Sequence, residues 1–328
     1  MSAGASVPTG TTLDQIAPTI AEIIGLRRAH PEVRSGTAIP GIVSGEPPRL
    51  VLEVVLKGAG TSTLEEGEWP QLRALMGAGA ATTAARVPSL PLDPAAIIAT
   101  IGTGGTPRQH GITGTQVRSD TGRLVAAWSR RAPPSIIATL ADDLDEGSDQ
   151  EPHIGLIADS PSDRGLVGGD WYVDNDKDDV IVTQDVAGAA RRLLRRGYGR
   201  DDVPDLLGVS IAAEAGTKDA ELGNLIRAAR AASGNSLLIV VAGTGGAKPD
   251  PEAVGSGTLV DALERETGTG LVEAVAVGGV FIDQTELAAQ QVTEEQIGRA
   301  LRSLEDERGN DLVADAFAGI AVSFARYC

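Results

Sequence analysis

The sequence predicts an α/β protein: a three-layer α/β/α sandwich around a mostly parallel sheet. Short, continuously apolar runs recur along the chain, as strands buried on both faces require. Amphipathic helical patterns separate these runs, which is the alternation of a layered α/β fold. The length of 328 residues is enough for a large buried core. A hydrophobic content of 42% against 22% charged residues belongs to a folded chain rather than a disordered one. Aromatic residues make up only 3%, so aliphatic side chains must build that core.

The chain opens on a helical stripe in "TTLDQIAPTIAEIIGL" (11–26), where Leu13, Ile16, Ile20, Ile23 and Ile24 share one face. "SGTAIPGIVSGEPP" (35–48) reads as a loose connection to the first strand, "LVLEVVLK" (50–57). One helix is expected across "LEEGEWPQLRALMGAG" (64–79). Asp93 followed by Pro94 is a good helix start, an N-cap with proline at the first position. Four further strand-like runs are "HIGLIAD" (153–159), "DLLGVSIAA" (205–213), "SLLIVVAG" (236–243) and "LVEAVAV" (271–277). Between the second and third of these, Leu222, Leu225, Ile226 and Ala229 form the stripe of a helix over 218–233. "GTGG" at 102–105 and 243–246 fits no full phosphate-binding template and reads as tight turns. We expect one domain over 1–328, with 115–185 as a small insertion or cap.

A formal net charge of −17 offers no basic footprint for nucleic acid or an anionic membrane. No apolar run approaches the roughly 18 residues of a membrane span. The opening "MSAGASVPTGTT" lacks a secretory pattern, and the single cysteine, Cys328, allows no internal disulfide. These features point to a cytoplasmic protein; its protein partners are not legible. Within "DWYVDNDKDDVIVTQD" (170–185), Asp174, Asp176 and Asp178 alternate, but Asp179 stands where a calcium loop needs glycine. A solvated acidic loop is the plainer reading.

From Val51 to Gly114 the order of motifs resembles the alkaline phosphatase superfamily, in its nucleotide pyrophosphatase/phosphodiesterase branch. The residues that carry the likeness are "VVLKG" (54–58), "WPQLRAL" (69–75), "VPSLPLDPAA" (87–96), "ATIGTG" (99–104) and "PRQHGITG" (107–114). "SLLIVVAGTGG" looks like the strand that carries Ser-Asp-His-Gly there, and the His-Gly-Ile loop is the most specific part. The opening helix resembles the family's Asp-Ile-Ala-Pro-Thr helix, which normally comes near the C-terminus. Residues 1–48 are then a circularly permuted segment, or else an unrelated amphipathic helix.

The resemblance implies a hydrolase with two metal ions that activate a Ser or Thr nucleophile. The matched positions do not supply those ligands. Lys57 stands where the first strand should end in Asp, and Thr244 and Gly245 stand where Asp-His should follow the later strand. "AAEAGTKDAE" (212–221), matched to Asp-x-x-x-His, has no histidine, and the final His-Gly is absent. Of the three histidines, His110 matches a loop position that is not a ligand in the family, and His30 and His153 match nothing. No cofactor is expected, and zinc in particular is not.

Lys57 either holds a small anion as a point charge or pairs with a neighbouring acid. Ser89 is the nearest candidate nucleophile, although Pro91 or Asp93 could occupy the matched place. His110 either serves Ser89 as a general base or bonds the backbone of its loop. Asp93 and Thr244 complete the candidate site at the strand ends, with capping as the plainer role of Asp93. Two functions follow. One is a non-hydrolytic pseudoenzyme with a binding, structural or regulatory role. The other is a hydrolase or transferase that works on a phosphorylated or sulfated small molecule with a repurposed site.

Overall fold

Strand β1 (Leu50–Lys57) is apolar at nearly every position because both of its faces are covered. Val51 and Val55 face one hydrophobic cluster, while Leu50, Leu52, Val54 and Leu56 face another. The computed structural model describes residues 7–42, 45–169, 171–172, 178–213, 217–245, 255–268, 270–276, 279–305, 309, 311–313 and 315–319. The chain divides into two compact units.

The first unit spans residues 1–89 and 94–247. It contains β1, a hairpin of β2 (Gln116–Arg118) and β3 (Leu124–Ala126), and four further strands. These are β4 (Ile154–Ala158), β5 (Asp179–Val182), β6 (Asp205–Ala212) and β7 (Leu237–Gly243). The main sheet has the order β5-β4-β6-β1-β7, and every pairing in it is parallel. The helices are α1 (Ile16–Ile24), α2 (Thr61–Glu66), α3 (Pro70–Ala78), α4 (Pro94–Thr103), α5 (Pro107–His110), α6 (Leu140–Gly147), α7 (Val186–Leu194) and α8 (Thr217–Ser233). Ile20, Ile98 and Leu144, from α1, α4 and α6, pack on one face of the sheet. Leu72, Leu193 and Leu222, from α3, α7 and α8, pack on the other. This is the expected α/β/α sandwich.

Several elements differ from the sequence reading. Residues 64–79 do not form one helix: Gly67 ends α2, and Pro70 opens α3 at its first position. Trp69 between them is buried and donates its indole N–H to the Thr63 carbonyl, 3.0 Å away. Asp219 of α8 then caps α3 by accepting from the Gln71 and Leu72 N–H groups. Residues 115–185, set aside above as an insertion, contain the β2–β3 hairpin but also supply β4 and β5 to the main sheet. Within the same stretch Asp185 caps α7 by accepting from the Gly188 N–H at 2.9 Å. Asp174, Asp176 and Cys328 lie outside the described residues.

The second unit comprises residues 90–93 and 248–328. It holds α9 (Ser256–Thr267), α10 (Gln284–Ala289), α11 (Glu294–Arg302), and an antiparallel pair of β8 (Val272–Ala276) and β9 (Gly279–Ile282). Its core includes Leu263, Ile297 and Ala300. Within the run at 271–277, Val272–Ala276 therefore form a strand, but not one of the parallel sheet. Its Glu273 is exposed, as suits a hairpin with one wet face.

Candidate functional site

At the carboxyl edge of the main sheet, β6 separates the end of β1 from the end of β4. Lys57, the last residue of β1, reaches across this gap. Its ammonium donates to Asp159, which directly follows β4, and to Asp163 Oδ2 at 2.7 Å. Asp159 is oriented from its other oxygen, which accepts the Ala212 N–H at the end of β6 at 3.0 Å. Asp163 sits on the 3-10 turn Pro161–Leu166, and its side chain is only 3% exposed. The Lys57 side chain is 15% exposed.

Burial by itself lowers the Lys57 pKa, but the hydrogen bonds to Asp159 and Asp163 outweigh it and the net shift is upward. Burial pushes the Asp163 pKa up, and the neighbouring ammonium only partly offsets this. The lysine thus has two carboxylates around one ammonium. Its charge is already matched, with formal negative charge to spare.

Thr244 follows β7 at the same edge. Its hydroxyl accepts the Gly58 N–H at 2.9 Å and its own N–H donates to the Leu56 carbonyl at 3.2 Å. Lys57 and Thr244 are therefore brought to one edge, as the strand assignment predicts. Thr244 there ties the end of β7 to the turn after β1.

Ser89 is half-buried in the bend that follows Val87. Asp93 is buried and directly precedes α4, which begins at Pro94 as expected. His110 is fully buried at the end of α5. Its Nδ1 accepts the Ile112 N–H at 3.1 Å, so Nε2 carries the proton and donates to the Thr100 hydroxyl at 3.1 Å. Burial lowers its pKa to about 3, so the ring is neutral at ordinary pH. With both ring nitrogens engaged, His110 ties its loop to α4 and has no lone pair directed at a nucleophile.

Asp159 and Asp163 did not emerge from the sequence reading. A signal existed: "DSPSD" follows a continuously apolar run, where carboxylates sit at a strand's carboxyl end. A second buried ion cluster was missed as well. Arg28 and Arg34 both bond Asp143 Oδ2, at 2.7 and 3.0 Å, and both donate to the Thr103 and Ala138 carbonyls. It fastens the segment after α1 to the end of α4 and to α6.

The donors at the strand ends do not suit a pair of divalent metal ions. The Lys57 ammonium already takes the Asp159 and Asp163 carboxylates, and Thr244 offers only a neutral hydroxyl. Among the described residues no three His, Cys, Asp or Glu side chains gather in metal-binding geometry. Residues 214–216, in the stretch matched to Asp-x-x-x-His, lie outside them. No helix among the described residues is long and apolar enough to cross a membrane.

No family model matches the chain, and no curated protein does. Solved structures do. The chain is similar to wild-type alkaline phosphatase PafA at 13% identity and a TM-score of 0.56, over 79% of this chain and 77% of that one. It is also similar to murine ectonucleotide pyrophosphatase / phosphodiesterase 5, at 13% identity and a TM-score of 0.54, over 76% of this chain and 69% of that one. The human form gives 12% identity and a TM-score of 0.53, with coverage of 76% and 69%. Identity this low speaks for architecture alone. On that likeness and on its parallel sheet with helices on both faces, the chain has an alkaline phosphatase-like α/β fold.

Proposed function

We propose that this protein is a non-hydrolytic member of the alkaline phosphatase-like fold, with a binding, structural or regulatory role in place of two-metal catalysis. One observation carries the reading: the Lys57 ammonium is held by Asp159 and Asp163 at the strand end that the sequence resemblance matches to a metal-binding aspartate. A lysine so paired acts as a built-in cation. It neutralises one of the two carboxylates at the strand ends and occupies the oxygens that a dication would need. The engaged ring of His110 supports the same reading, because Ser89 then has no base in that residue. We also take α1 as the helix that closes such folds, moved to the front of the chain by circular permutation. In support, its Ile20, Ile23 and Ile24 lie in one core with Val51, Val55 and Leu156 of the central strands.

The test is a hydrolysis assay of the purified protein on p-nitrophenyl phosphate and bis-p-nitrophenyl phosphate, with and without added zinc. We expect no turnover above the uncatalysed rate for either ester, and elemental analysis without stoichiometric zinc. Zinc-dependent turnover that Ser89→Ala removes would overturn the proposal in favour of a phosphoric ester hydrolase with a repurposed site.

A further inference from the structure

Strand β7 ends the main sheet, so one of its edges has no neighbouring strand among the described residues. Which groups that edge presents follows from its bonds to β1. The Leu50 N–H donates to the Ser236 carbonyl, and the Thr244 N–H donates to the Leu56 carbonyl. Alternation along an extended chain then turns the even-numbered residues of β7 toward β1. The N–H and C=O groups of Leu237, Ile239, Val241 and Gly243 point the other way.

Along this edge lies a cavity of about 530 Å³. Ile20 and Ile23 of α1 line it from the face of the sheet they cover, and Leu72 and Met76 of α3 line it from the opposite face. The two helices thus overhang the edge and leave a slot between them. Arg230 is the only charged residue among its described lining. Bare edges are normally protected by lysine, proline or a bulge, and "LLIVVAG" has none of these.

We propose that this slot takes one extended, uncharged, β-branched segment of a partner polypeptide, which pairs with β7 through its main chain as a sixth strand. Two features select that chemistry. An apolar small molecule would fill the space but leave four residues' worth of backbone donors and acceptors without partners, which is costly where water is excluded. A strand satisfies them at the normal spacing of about 4.8 Å and sends its side chains alternately toward α1 and α3. The nearly uncharged wall matches an uncharged strand and penalises a charged one. A second copy of this chain fits poorly through the same edge, because each β7 is recessed between its own helices.

The probe is the blocked hexapeptide acetyl-Thr-Val-Thr-Val-Thr-Val-amide, titrated against the full chain with hydrogen exchange read at Leu237–Gly243. We expect saturable binding and slowed exchange at those amides. The same peptide with its valine amides N-methylated keeps the apolar surface but loses main-chain donors, and should bind at least about tenfold more weakly. Val241→Pro removes one outward N–H without touching the ladder to β1, and should weaken the unmodified peptide alone. Equal binding of the two peptides would reduce the slot to a general apolar pocket and overturn the proposal. So would no binding of either up to about 1 mM. A wild-type dimer that Val241→Pro converts to monomer would also overturn it, by giving the edge to a second copy. The methylated peptide needs no variant, so a Val241→Pro chain that fails to fold leaves the test intact.

Discussion

Glu53 is the one acid inside β1, in register with Gly208 of β6 and Val240 of β7, and it is 1% exposed. Its Oε1 has no hydrogen-bond partner, and burial pushes its pKa up to about 8 from an ordinary 4.5. The folded state therefore prefers the protonated acid. Its contribution to stability is complete below the unfolded value near 4.5 and is lost as pH rises through about 8. The whole loss is on the order of 5 kcal/mol at about 1.4 kcal/mol per pH unit. Glu53→Gln, which cannot ionise, should flatten the alkaline side of the profile. Thermal melts from acid to alkaline pH would show wild type losing Tm steadily across that window while the variant does not; parallel curves would mean that water reaches the carboxyl. His110 works in the other direction. Its folded pKa near 3 lies below the usual 6.5, so its contribution is present above 6.5 and falls away as pH drops toward 3.

Helix α4 is packed against the turn that carries Asp163 with almost no clearance. A Cβ at Gly102 would lie 2.2 Å from the Gly165 carbonyl oxygen, and one at Gly165 would lie 2.9 Å from the Ala99 Cα. Backbone rather than a flexible side chain stands in the way, so the helix and turn must separate to admit a methyl group. We expect Gly102→Ala to cost roughly 1–3 kcal/mol in a denaturant titration. Gly77 in α3 is the counter-case, exposed and with nothing within 4 Å of an added Cβ. Gly77→Ala should stabilise by about 0.5–1 kcal/mol, since only the glycine's backbone entropy is removed. If both substitutions shifted the midpoint in the same direction, close packing of α4 on the turn would not be what sets the effect.

The molecule as a whole carries −17 formal charges, and few of its surface ion pairs are placed to matter. Arg49–Asp202 and Arg192–Asp185, for example, join side chains that are largely in water, where such pairs contribute little. The Lys57 and Arg28/Arg34 clusters are buried and little affected by salt. Long-range repulsion between carboxylates is then the main term that salt can reach. Raising ionic strength from about 0.01 to about 0.15 M shortens the screening length from about 30 to about 8 Å and should raise Tm. A fall in Tm over that range would mean that exposed ion pairs outweigh the net repulsion.

Periodicity and composition are local properties, and what depends on them was legible from the chain alone. They revealed the layered fold, four of the five strands of the main sheet, the start of α4 at Pro94, and the strand-end position of Lys57 and Thr244. The short strand β5 escaped because its flanks are acidic and it lies at the sheet edge, where side chains need not all be apolar. The partners of Lys57 escaped for a different reason. Asp159 and Asp163 lie 102 and 106 residues further along, and strand order alone brings them to the lysine by placing β6 between β1 and β4. Likewise, "LVEAVAV" and the runs of the parallel sheet look alike residue by residue; what separates them is the neighbour each strand finds, a long-range choice that no local pattern encodes.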